Sequence, residues 1–203
     1  RSSDLLAELE VPHESGNAVS LIERQVGLLR DKLQATDKRL RELMDIARSN
    51  ERLADSRHRL AINLLGARDL DDVISIVLDE LGNELGADYA IVRLLTDDED
   101  RLGNQPELFI ETGNEALNAF STMLDNRKPM CGRRSEEQNA FLFGEHADQI
   151  GSAAVIPLAA GAKLGLLALG GKDEQRFSIA MGTEFLAQIG ELVSTALAVH
   201  LEA

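Results

Sequence analysis

From Val19 the apolar residues of this chain fall on a seven-residue repeat. With Val19 at position a, the a and d positions read Val19, Ile22, Val26, Leu29, Leu33, Thr36, Leu40 and Leu43, apolar at seven of eight. The positions between them are rich in Glu, Arg, Lys, Asp and Gln, no Pro occurs from Ala18 to Leu65, and Gly27 is the only interior Gly. This pattern predicts one long helix with an apolar seam. β-Branched a residues with Leu at d favour two parallel strands of a coiled coil. Asn17, or Ser20 with Glu23 in capping-box spacing, is the expected N-cap. The expected homodimer interface is therefore Val19, Ile22, Val26, Leu29, Leu33, Leu40 and Leu43. The alternative is a helix folded back on its own domain, with no partner.

After Leu43 the stripe drifts. Ala47, Asn50, Ala54 and Arg57 continue the old register poorly, whereas Ile46, Leu53, Leu60 and Leu64 form a better one. A straight helix drifts about 20° per heptad against a strict repeat. The helix is thus expected to leave its seam and pass onto the surface of a globular domain. The polar positions Thr36, Asn50 and Arg57 either set register or mark where seam packing relaxes.

Beyond residue 66 the periodicity alternates between helix and strand. Leu70 to Leu85 has helical spacing, with Asp69, Asp71 and Asp72 at its start and Gly86 as a stop. Tyr89 to Thr96 reads as a strand, Asp97 to Asp100 as a charged turn and Glu107 to Glu111 as a second strand. Asn114 to Asn126 is helical, Pro129 to Gly132 a short strand and Glu136 to Phe143 a short helix. Ser152 to Leu158 and Leu164 to Leu169 read as a hairpin turning at Ala159 to Ala162. A final helix is expected from about Ile179 to Leu201, capped by Ser178, with an apolar face of Phe185, Ile189, Leu192, Ala196 and Val199. Three regions follow: residues 1–17 as the end of a segment that starts upstream, 18–51 as a coiled-coil signalling helix, and 52–203 as one α/β (α+β) domain with a central antiparallel sheet flanked by helices.

Charge changes the picture of partners. The net charge is -14, yet residues 1–66 balance eleven Lys/Arg against eleven Asp/Glu; residues 67–203 hold ten and twenty-four. The acidic excess argues against nucleic acid and anionic membrane as partners of the C-terminal part, since both need clustered Lys/Arg. With Cys131 the only cysteine, no intramolecular disulfide can form. That fits a reducing, cytoplasmic setting. The apolar run from Gly151 to Gly171 is broken by Pro157, Gly161 and Gly165 and carries Lys163 at its middle, so two strands explain it better than a membrane span.

The element order resembles that of GAF domains over about residues 52 to 201. Carriers of the likeness include Arg68-Asp69-Leu70-Asp71-Asp72-Val73, Leu85-Gly86-Ala87-Asp88-Tyr89-Ala90, and Ile156-Pro157-Leu158 followed by Leu164-Gly165-Leu166. A fuller resemblance is to DUF484, a bacterial family of GAF-like proteins of unknown function. It is carried by Asp4 to His13, by Val19 to Gln25, by Cys131-Gly132-Arg133, and by Arg176-Phe177 with Met181-Gly182-Thr183-Glu184-Phe185-Leu186. The resemblance implies a GAF-like fold and brings no activity or cofactor with it.

Candidate chemistry is sparse. Cys131 has Arg133, Arg134 and His146 nearby in sequence, but no second cysteine to resolve an intermediate, and a buried apolar role suits it better. His13, His58, His146 and His200 lack metal-ligand spacing. Asp97 to Asp100 lacks the glycine and terminal glutamate of a calcium loop. In GAF domains the pocket lies against the region after the second strand. Here that region supplies Phe109, Phe120, Met123, Met130, Cys131, Phe141 and Phe143, either lining a small-molecule site or filling a core. The expectation is a non-enzymatic sensory or regulatory module, or else an adaptor whose filled domain binds another protein.

Overall fold

The computed structural model describes residues 15–178 and 182–201, with side chains from Ile22 onward in its first helix. The first helix begins at Ser15, so Asn17 and Ser20, the expected caps, lie within it. The side chains of Asn17, Val19 and Ser20, the Asp4 to His13 stretch and the Ile179 to Met181 start of the last helix lie outside the described residues. The chain divides between Arg52 and Leu53 into two compact units.

Helix α1 runs Ser15–Leu65. Its part in the first unit is exposed: Ile22 at 61%, Val26 at 40%, Leu29 at 65%, Leu33 at 62%, Leu40 at 55% and Leu43 at 62%. Thr36 turns its hydroxyl back to donate to the Lys32 carbonyl oxygen at 2.8 Å, the local bond that helical Thr makes when nothing else claims it.

The second unit is a five-stranded mixed sheet with helices on both faces. Its strands are β1 (Tyr89–Thr96), β2 (Phe109–Glu111), β3 (Met130–Gly132), β4 (Ser152–Ala160) and β5 (Ala162–Gly171). They lie in the order β2-β1-β5-β4-β3. Every pair is antiparallel except β1 with β2, which is parallel. The parallel step arises because the chain between them does not turn back as a hairpin. Asp98 caps a short helix, α3 (Glu99–Asn104), by accepting from the Asp100 and Arg101 amides. The charged turn expected at Asp97 to Asp100 is thus a helix start, as suits consecutive acids at an N-terminus.

One face carries α2 (Leu70–Leu85), α6 (Thr183–Leu201) and the end of α1 from Leu53. Asp69 caps α2 by accepting from the Asp72 amide at 2.8 Å, and Gly86 closes it at φ 57. Leu60, Val73, Val77, Leu81, Val92, Leu94, Ile156, Leu167, Leu169, Phe177 and Leu186 form the core here. Arg59 reaches Glu84 at 2.7 Å and Asn63 reaches Glu80 at 2.8 Å, tying the end of α1 to α2.

The opposite face is covered by a 3-10 turn at Glu115–Phe120, α4 (Ser121–Asn126), α5 (Glu136–Phe143) and a 3-10 turn at Gly144–Gln149. Asn114 to Asn126, expected as one helix, is thus two short pieces. Both cores draw alternately on β4, with Ala154 and Ile156 on one side and Ala153 and Val155 on the other. A sheet covered on both faces explains why Ser152 to Leu158 reads as a continuous apolar run.

Helix α6 corrects the expected stripe. Its buried side is Leu186, Ile189, Gly190, Val193, Ser194 and Leu197, while Val199 is 66% exposed. The helix begins at Thr183, five residues after the expected cap Ser178. Gly190 allows the close approach to β4, since a Cβ there would meet Ile156 Cγ2 at 2.8 Å.

Candidate functional site

The seven residues expected to form a pocket divide between the two faces of the sheet. Phe109 and Cys131 belong to the core beneath α2 and α6. Phe120, Met123 and Phe143 are buried in the opposite core, with Met130 and Phe141 packed against it. Phe120 and Phe141 make a tilted pair with ring centroids 5.8 Å apart. The Cys131 thiol is pushed above its ordinary value by burial, which outweighs the opposing effect of Arg134. Arg134 instead donates to the main-chain oxygen of Cys131 at 3.0 Å, so the cation serves the backbone.

A different place gathers polar groups. Along β1 a single charged side chain, Arg93, interrupts an otherwise uncharged strand. Side chains alternate between faces along a strand, so Arg93 stands with Ile91 and Leu95 on the side of α5. One of its terminal nitrogens donates to the carbonyl oxygen of Glu107. Its Nε is buried without a partner. Burial lowers the Arg93 pKa against the opposing pull of Glu107.

Arg93 lines a cleft of about 590 Å³ at the edge of the sheet. Ala90 to Arg93 form its floor, Ile74, Ser75 and Leu78 of α2 one wall, and Phe143 to His146 the other. Phe143 alone of the seven expected pocket residues lines it. The Tyr89 ring stacks on His146 with centroids 4.6 Å apart, and its hydroxyl donates to Gln149 Oε1 at 2.8 Å. The residue-type signal for this site was a lone arginine within the apolar run Tyr89 to Thr96.

The sequence profile described as "Protein of unknown function, DUF484" matches residues 1–201. The chain belongs to the DUF484 family. No curated protein matches this DUF484 chain. Among its described residues, no helix is long and apolar enough to cross a membrane. A second groove of this DUF484 protein, about 920 Å³, lies within the Leu53–Ala203 unit between the end of α1 and the side of α6 bearing Leu192, Ala196 and Val199. Arg57 donates to Gln188 Oε1 beside it.

Proposed function

We propose that this protein is a non-catalytic regulatory module with a GAF-like domain, dimeric through its N-terminal helix and acting through contacts with other chains. The observation that carries this reading is the exposed stripe of Ile22, Val26, Leu29, Leu33, Leu40 and Leu43, each at least 40% exposed in the single chain. Apolar groups repeating at a and d lose their contact with water only against another helix. The occupant is a second copy of the chain, because Val26 at a with Leu29 and Leu43 at d favours two parallel strands. A non-catalytic role is supported by Cys131, whose thiol is buried, burial raising its pKa.

The test replaces Ile22 and Leu29 with Asp. Light scattering at micromolar concentration should then report monomer mass for the double variant and dimer mass for the parent. A variant that keeps full dimer mass would show that the seam is the wrong interface.

A small-molecule sensor is the second reading, favoured by the Arg93 guanidinium lining an open cleft. A thermal-shift screen of small carboxylates tests it. A hit lost in Arg93→Gln supports it, and a screen without hits removes it.

A further inference from the structure

The β1 edge facing β2 is only partly paired. The Leu94 amide donates to the Leu108 carbonyl oxygen at 2.7 Å, and Thr96 accepts from the Thr112 amide at 3.3 Å. Main-chain groups of Leu94 and Thr96 therefore point to this edge. By the two-residue alternation of a strand, so do those of Ala90 and Val92. The ladder from β1 to β5 runs residue for residue from Tyr89 to Leu94, so the alternation is unbroken there. Yet β2 pairs with β1 only from Leu94 onward. Among the described residues, no strand covers the edge at Ala90 and Val92. The Arg93 cleft opens on that edge.

We propose that this cleft receives the C-terminal end of a partner protein as an added strand, parallel to β1, with its terminal carboxylate on Arg93. Unpaired edge groups template strand addition. Leu108 already occupies the Leu94 amide, so a segment lying on Ala90 and Val92 cannot continue past that point and must end or turn away. Running parallel to β1, it brings its C-terminus to the closed end of the cleft. There it meets the Arg93 guanidinium, which lines the cleft and of which one terminal nitrogen already serves the Glu107 carbonyl oxygen, and a carboxylate matches a guanidinium by charge and by geometry. An antiparallel segment would bring an ammonium group to the same cation. Alternate side chains of the added strand would face Ile74 and Leu78 on one side and Phe143 on the other. Glu145, next to the His146 that stacks on Tyr89 at the start of β1, favours Lys or Arg further upstream.

This inference rests on the reading of the domain as a contact module, and its test is independent of dimerisation. The probes are acetylated hexapeptides, with lysine in the first two positions and alanine, valine, isoleucine or leucine in the rest. Each is made as a free acid and as a C-terminal amide, and N-acetylvaline serves as the small-carboxylate control. Binding is measured by calorimetry on the full chain and on the Ile22→Asp, Leu29→Asp variant. Free acids should bind both proteins alike and at least tenfold tighter than their amides. Arg93→Gln should abolish the preference for the acid. Ala90→Pro removes an edge amide that β5 does not use, so it should keep the melting temperature within a few degrees and weaken peptide binding at least tenfold. In the unsubstituted protein, amide exchange at Ala90 and Val92 should slow when peptide binds. The inference is overturned if no free-acid peptide in the set binds, if amides bind equally, or if exchange at Ala90 and Val92 is unchanged by a bound peptide. N-acetylvaline binding as tightly as the peptides would also overturn it, in favour of a small-molecule site.

Discussion

Gly165 of β5 faces Arg93 of β1 so closely that a Cβ at Gly165 would overlap the Arg93 carbonyl oxygen and come within 2.9 Å of Leu94 Cα. Its φ of 153 is also one that side chains rarely adopt. Gly165→Ala should therefore destabilise the domain, by roughly 1–3 kcal/mol as for other overpacking changes. Urea unfolding of the parent and variant checks this, and equal midpoints would mean that the backbones separate at little cost.

Cys131 should behave as a buried thiol. Its folded-state pKa is raised, chiefly by burial. The stability it contributes is present below its unfolded pKa and is lost as pH rises through the folded one. Iodoacetamide at pH 8 should label the native protein at least tenfold more slowly than the urea-unfolded chain. Labelling at the unfolded rate would point to an activated cysteine.

Asp72 should titrate below the ordinary carboxylate range, because the Arg68 side chain donates to it at 2.8 Å and the Arg68 amide adds a bond at 3.2 Å. With a depressed folded pKa, its contribution is present above the unfolded pKa and is lost as pH falls through the folded one. Carboxyl-carbon NMR should show the Asp72 midpoint rising in Arg68→Ala. No movement would remove Arg68 as the cause.

Asp69→Ala should cost about 0.5–2 kcal/mol, the usual loss for an N-cap, because the Asp72 amide then has no side-chain acceptor. Asp69→Asn should recover most of that stability. Thermal melts of the two variants decide it, and equal losses would show that charge, not the hydrogen bond, matters at this helix start.

Phe120→Ala should cost roughly 3–5 kcal/mol, since its ring is 1% exposed between α5 and the sheet. A loss under about 1 kcal/mol by urea unfolding, well below that range, would indicate a cavity already present around it.

The sequence by itself determined the elements with strong local signals. The helix Leu70–Leu85 and the strand Tyr89–Thr96 were legible to the residue, because Asp69 and Gly86 bound the one and an apolar run of strand length marks the other. Periodicity also marked Leu60 and Leu64 as leaving the heptad seam; both are buried in the domain core. Tertiary structure decided which side of an element faces inward when several sides are apolar. Helix α6 is apolar around most of its circumference, so its pattern singles out no one side; the buried side is the one bearing Gly190, where the helix comes close to β4. It also decided the fate of the aromatic cluster. Phe109 and Phe143 lie close enough in the chain to suggest one pocket, but β2 and α5 stand on different layers and send them into separate cores. The parallel pairing of β1 with β2, and with it the uncovered edge beside Arg93, depends on contacts between residues distant along the chain. No local pattern encodes these, because strand pairing is set by how the layers pack, not by the propensity of either strand alone.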